Sequence, residues 1–66
     1  MARADVISIP GLSGARIHLG ISQWVVAEKA DVSFSTVCRA EKGGSVKFST
    51  AGKLARAVGK KIEDLI

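Results

Sequence analysis

Residues 20–43 read Gly-Ile-Ser-Gln-Trp-Val-Val-Ala-Glu-Lys-Ala-Asp-Val-Ser-Phe-Ser-Thr-Val-Cys-Arg-Ala-Glu-Lys-Gly, two short helical segments around one tight turn. Ser22 is a good N-cap, and Val26, Ala27 and Ala30 recur on one face of the segment that follows it. Ala27 is small and stands where the two segments cross. The first helix is expected to end near Ala30. Asp31 then tolerates a left-handed turn, Val32 drops into the core, and Ser33 supplies a fresh cap. The second helix turns Val37, Ala40 and the alkyl stem of Glu41 inward. Phe34, Ser35, Cys38 and Arg39 fall on its outer face. Lys42, Gly43 and Gly44 close it, a basic residue followed by glycines suited to positive φ.

The flanks keep a helical rhythm. Residues 1–7 read as an N-terminal arm, and residues 8–66 as the domain proper. Ser8 is positioned to cap a first helix with Pro10 near its first turn, and Leu12, Ala15, Arg16 and Leu19 share one side of it up to Gly20. After a Gly43, Gly44, Ser45, Val46 loop, Phe48, Ala51, Leu54, Ala55 and Val58 mark a fourth helix, with Gly52 a weak point inside it. Ile62, Leu65 and Ile66 form one apolar edge of a short fifth helix. No strand pattern emerges, so the expected class is all-α, a compact five-helix domain.

Size and composition narrow the function. Sixty-six residues at 47% apolar content fill one core but leave nothing for a deep substrate cavity, and no nucleophile, carboxylate pair or ligand cluster argues for an enzyme. Ten basic against six acidic side chains give a net charge of +4, and the isoelectric point is near 9.7, which favours a polyanionic partner. Cys38 has no second cysteine to pair with, and with His18 it makes no metal-ligand set; neither cofactor nor metal is expected. A lone thiol suits a reducing, cytoplasmic setting. No apolar run reaches membrane-spanning length, and Asp5 and Ser8 interrupt the N-terminal apolar stretch where a signal-peptide core would lie.

Several separated motifs point one way. Arg16-Ile-His-Leu-Gly-Ile-Ser-Gln23, Ala27-Glu-Lys-Ala30, Val32-Ser33, Ser35-Thr36-Val37, Arg39, Glu41, Lys53-Leu-Ala-Arg-Ala-Val-Gly59 and Ile62-Glu-Asp-Leu65 resemble the phage-repressor and Cro type of helix-turn-helix domain, the XRE family. The likeness covers roughly residues 12–66. It implies a lambda-repressor-like fold and binding of double-stranded DNA by a transcriptional regulator located with the nucleoid. By the resemblance, Ser22 and Gln23 contact phosphates, and Gln23 also braces the recognition helix. Ser33, Phe34, Ser35 and Arg39 match positions that reach base edges, Arg39 by bidentate bonding to guanine and Phe34 by apolar contact with a thymine methyl. Phe34 has a second reading, packing back on Val46 or Phe48. Lys42, Ser45 and Lys47 lie around a loop that rests on the sugar-phosphate backbone in similar proteins. Family members also pair residues like Arg16 and Glu41 across the core, a structural ion pair rather than a functional one.

The chain departs from that family pattern at four places. Asp31 occupies the usual turn glycine, and Trp24 and Val25 replace polar residues. Ala40 replaces a larger aliphatic, with Phe48 or Trp24 expected to fill the space, and Gly52 stands where an aliphatic is usual. Lys53, Arg56 and Lys60 form a basic row that helix polarity alone explains. One recognition helix reads too few bases to be selective, so a homodimer on a palindromic operator is expected, joined through Ile62, Leu65 and Ile66. The competing reading, motivated by the apolar group Trp24, Val25 and Phe34, is an antitoxin or accessory module that holds a protein partner at Trp24 and Val25.

Overall fold

The computed structural model describes residues 5–66. Helix α1 runs Leu12–Leu19, α2 Gln23–Ala30, α3 Phe34–Glu41 and α4 Phe48–Ala57. The two central helices start where hydroxyls stand. Ser22 Oγ accepts from the Val25 N–H at 3.2 Å, and Ser33 Oγ accepts from the Thr36 N–H at 3.2 Å, each satisfying one orphan donor of a first turn. Between them Asp31 takes the left-handed conformation at φ 58° and ψ 48°, its N–H closing on the carbonyls of Ala27 and Glu28. An aspartate does here what a glycine usually does, at some steric cost.

The expectation of an all-α chain is corrected in two places. Val6–Ser8 (β1) pairs antiparallel with Ser45–Lys47 (β2), setting Val6 opposite Lys47, Ile7 opposite Val46 and Ser8 opposite Ser45. Three residues are too few to display an alternating pattern, and the pairing partners stand 37 to 41 positions apart in the chain. The expected fifth helix is a single 3-10 turn, Ile62–Asp64, in which the Asp64 carboxylate accepts from the Lys61 N–H at 3.2 Å. Among the described residues helical structure thus comprises four α-helices and this turn. Ser8 also does not cap α1. It ends β1, its hydroxyl donates to the Gly43 carbonyl at 2.9 Å, and Gly11 stands at the N-cap position without a side-chain bond. Of the expected arm, Val6 and Ile7 belong to the strand, and residues 1–4 lie outside the described part of the chain.

The core is aliphatic. Ile9, Leu12, Val26, Val37, Leu54, Val58 and Leu65 are its largest fully buried side chains, with Ala27, Ala30, Ala40, Ala51 and Ala55 allowing close helix approach. Trp24 and Phe48 do not fill the space beside Ala40; both are exposed. Gly52 does not interrupt α4, which continues through it.

Leu65 requires a further correction. It is 1% exposed and belongs to the core, so it cannot also face a second chain in this fold. Its carbonyl accepts from the Gly11 N–H at 2.7 Å, tying the segment after α4 to the start of α1. A Cβ at Gly11 would stand 2.8 Å from that oxygen and 3.0 Å from the Leu65 Cα, both backbone atoms with little room to yield. Gly11→Ala is therefore expected to lower stability by about 1–3 kcal/mol in urea denaturation. Gly52→Ala is the control: its Cβ meets nothing nearer than 4.0 Å. That helix-interior change is expected to stabilise by roughly 0.5–1 kcal/mol.

Candidate nucleic-acid interface

One polar cluster ties the end of α3 to α1 and α2. Arg16 on α1 donates from Nε to Glu41 Oε2 and from Nη2 to Glu41 Oε1, the latter at 3.1 Å, while Nη1 donates to the Ile21 carbonyl at 3.0 Å. Gln23, the first residue of α2, donates its amide to the same Glu41 Oε1 at 3.0 Å. Its amide oxygen lies 3.8 Å from Cys38 Sγ on α3. Three helices are thus joined at one carboxylate. Arg16 and Glu41 are largely shielded, at 17% and 8% side-chain exposure, and the Glu41 hydrogen bond holds the Arg16 guanidinium above its ordinary pKa, outweighing desolvation. Gln23 therefore braces α3 through its side chain, while α2 begins beside it with backbone N–H groups free of intrahelical partners.

On the outer face of α3 the assigned residues separate by occupation. Ser33 Oγ is taken up within the cap: it accepts from the Thr36 N–H and lies 2.8 Å from Thr36 Oγ1 and 3.2 Å from Ser35 Oγ. Ser35 and Arg39 are exposed. Arg39 makes no side-chain hydrogen bond or ion pair among the described residues. Its stem lies against Gly44, where a Cβ would stand 2.5 Å from Arg39 Cγ, and the Gly44 N–H donates to the Arg39 carbonyl at 2.9 Å. Gly44 is the residue whose role the sequence did not disclose. It reads as a helix terminator, whereas its missing side chain gives the arginine its path along the protein surface. Lys42, at the end of α3, and Ser45 and Lys47, in β2, are all exposed.

Among the described residues the aromatic partner of Phe34 is Trp24, not Phe48. The two rings stack with centroids 4.1 Å apart and planes inclined by 16°. Trp24 remains 65% exposed, and a shallow groove beside the pair is lined by Trp24, Ala27, Glu28, Asp31, Val32 and Phe34. The pairing has no signature in the sequence beyond two aromatic residues in the first turns of successive helices. Lys53, Arg56 and Lys60 are exposed.

A helix-turn-helix family model, HTH_3, matches residues 12–65, from the first residue of α1 to the buried Leu65. The chain belongs to this helix-turn-helix family. The match is to the Cro and repressor type, a family of DNA-binding transcriptional regulators, and it spans every element of the structure except β1. In this helix-turn-helix domain α2 and α3 are the two motif helices, and α3 is the one in the recognition position. No curated relative and no solved structure matches the chain. No helix among the described residues is long and apolar enough to cross a membrane.

Proposed function

We propose that the domain is a sequence-specific transcriptional regulator that lays α3 in the major groove of double-stranded DNA. The observation that carries this reading is Arg39, exposed on the recognition helix, unpaired among the described residues, and supported along Gly44. A guanidinium so presented suits the O6 and N7 of guanine. Phe34 and Ser35 are the neighbouring base-reading residues; Ser33 holds the helix start and contributes through position. Ser22 and Gln23, with the N-terminal N–H groups of α2, and Lys42, Ser45 and Lys47 hold phosphates. The setting is the cytoplasm, with the nucleoid as the site of action.

The test is selection of bound sequences from random duplex DNA, followed by salt titrations on the selected duplex. Lys42→Ala is expected to weaken selected and random duplexes alike and to flatten the slope of log affinity against log salt by about one unit. An unchanged slope removes Lys42 from the backbone contacts.

Selectivity in a genome calls for two copies on an inverted repeat, with half-sites about 34 Å apart, one DNA turn. With Leu65 in the core, the C-terminal edge expected to join such a dimer reduces to Ile66, which is 67% exposed, and the half-buried Ile62. Ile66→Lys, which leaves the core intact, is the variant to compare with the wild type by light scattering on operator DNA. The second reading, an antitoxin or accessory module, is favoured by the exposure of Trp24 next to the half-buried Val25. Co-purification of a stoichiometric protein partner that is lost in Trp24→Ala would support it.

A further inference from the structure

Trp24 departs from the family pattern, and its stacking on Phe34 gives the recognition surface an aromatic pair. Trp24 is the second residue of α2, two positions after the capping Ser22, and Phe34 is the first residue of α3, directly after the capping Ser33, so the pair bridges the N-terminal turns of the two motif helices. A recognition helix enters the groove with its N-terminal residues against base edges. In the DNA-binding reading proposed above, on which this inference rests, the pair therefore sits at the mouth of the groove.

An isolated phenylalanine in the first turn of a surface helix samples several rotamers. Discriminating a thymine from a cytosine by its methyl group requires an apolar surface held in one place. Face-to-face packing at 4.1 Å with planes 16° apart supplies that restraint, leaving Phe34 half-buried and its remaining surface open. The indole forms the outer layer. At 65% exposure it has a broad apolar face free to lie along deoxyribose when the duplex is present.

We infer that Trp24 is a specificity-determining positioning residue: stacked on Phe34, it fixes that ring as an apolar contact for the 5-methyl group of a thymine in the operator. The partner of the pair is DNA, and the group read is a methyl.

The experiment begins with the duplex selected by the wild-type protein from random DNA, each thymine being replaced in turn by deoxyuridine, which removes only the methyl. One thymine in the site is expected to account for about a fourfold loss of wild-type affinity, the worth of one buried methyl group. The same replacement is expected to cost nothing in Phe34→Ala and markedly less in Trp24→Ala, while Trp24→Phe, which keeps a stacking face, restores the sensitivity. A merely structural role for Trp24 would shift thermal stability without altering this methyl dependence. Trp24 is the only tryptophan in the chain, so acrylamide quenching of wild-type fluorescence reports on it directly and is expected to fall when the duplex saturates the protein. The wild-type scan and the quenching need no variant: a site in which no thymine methyl matters overturns the inference even where a substitution impairs folding. Deoxyuridine penalties that are the same in wild type, Phe34→Ala and Trp24→Ala, or quenching unchanged by DNA, overturn the inference and return the pair to the protein-partner reading. Failure of the wild type to select any duplex overturns instead the DNA-binding reading beneath it.

Discussion

Glu41→Ala is expected to lower the free energy of unfolding by roughly 3–5 kcal/mol, the largest stability loss of any single polar substitution in this domain. The carboxylate receives two bonds from Arg16 and one from Gln23 in a largely shielded site, so its removal strands a guanidinium and an amide together. Arg16→Met is expected to be comparably damaging, because it leaves the Glu41 charge with Gln23 as its only side-chain donor among the described residues. The double variant Arg16→Met, Glu41→Leu should lie closer to wild type than either single one, since two charges are then removed from a low-dielectric site rather than one left unpaired. Urea denaturation followed by circular dichroism measures all three. Single variants within about 0.5 kcal/mol of wild type would sink this account. The double variant carries a second expectation. It repairs stability but not the brace from Gln23 to α3, so its DNA affinity remains below wild type even when the fold is intact.

For Arg39→Ala the expected loss is on the selected duplex, about 1–3 kcal/mol, with relaxed preference at one base pair and little change on random DNA. The contrast with Lys42→Ala, which acts on all sequences alike, separates base reading from backbone holding. Gly44→Ala tests the same arm indirectly. Its Cβ would stand 2.5 Å from Arg39 Cγ and 3.1 Å from the Arg39 carbonyl oxygen, so the arginine stem must move and the backbone at the end of α3 must yield slightly. Binding to the selected duplex is then expected to weaken by more than the accompanying drop in thermal stability accounts for. Equal loss on selected and random duplexes in Arg39→Ala would remove it from base readout and leave it as one more phosphate contact.

The candidate site was legible where its signals are local. Ser22, Ser33 and Asp31 act within three or four residues of themselves, through a hydroxyl on a neighbouring N–H or a left-handed φ, so their effect on α2 and α3 can be read in a short window. The outward placement of Ser35 and Arg39 follows from helical periodicity once those ends are set. The sequence grouped Phe34 with Trp24 and Val25 as exposed apolar residues but did not give the stacking of the two rings. Two aromatic rings ten positions apart meet only because the turn at Asp31 folds α3 across α2.

By themselves, then, the residues determined the two motif helices, the turn between them, the aliphatic core of α2, α3 and α4, and the family. Each depends on spacing, and spacing is preserved in the linear chain. The tertiary structure alone decided the pairing of Val6–Ser8 with Ser45–Lys47, the shrinking of the last helix to a 3-10 turn, and the burial of Leu65. These elements are too short to carry a period, and each is stabilised by residues far away in sequence. Ile7 lies opposite Val46, and the Gly11 N–H reaches the Leu65 carbonyl from the other end of the domain. The core has few members, and Leu65 is drawn into it because the apolar area it buries there outweighs what an exposed edge would retain.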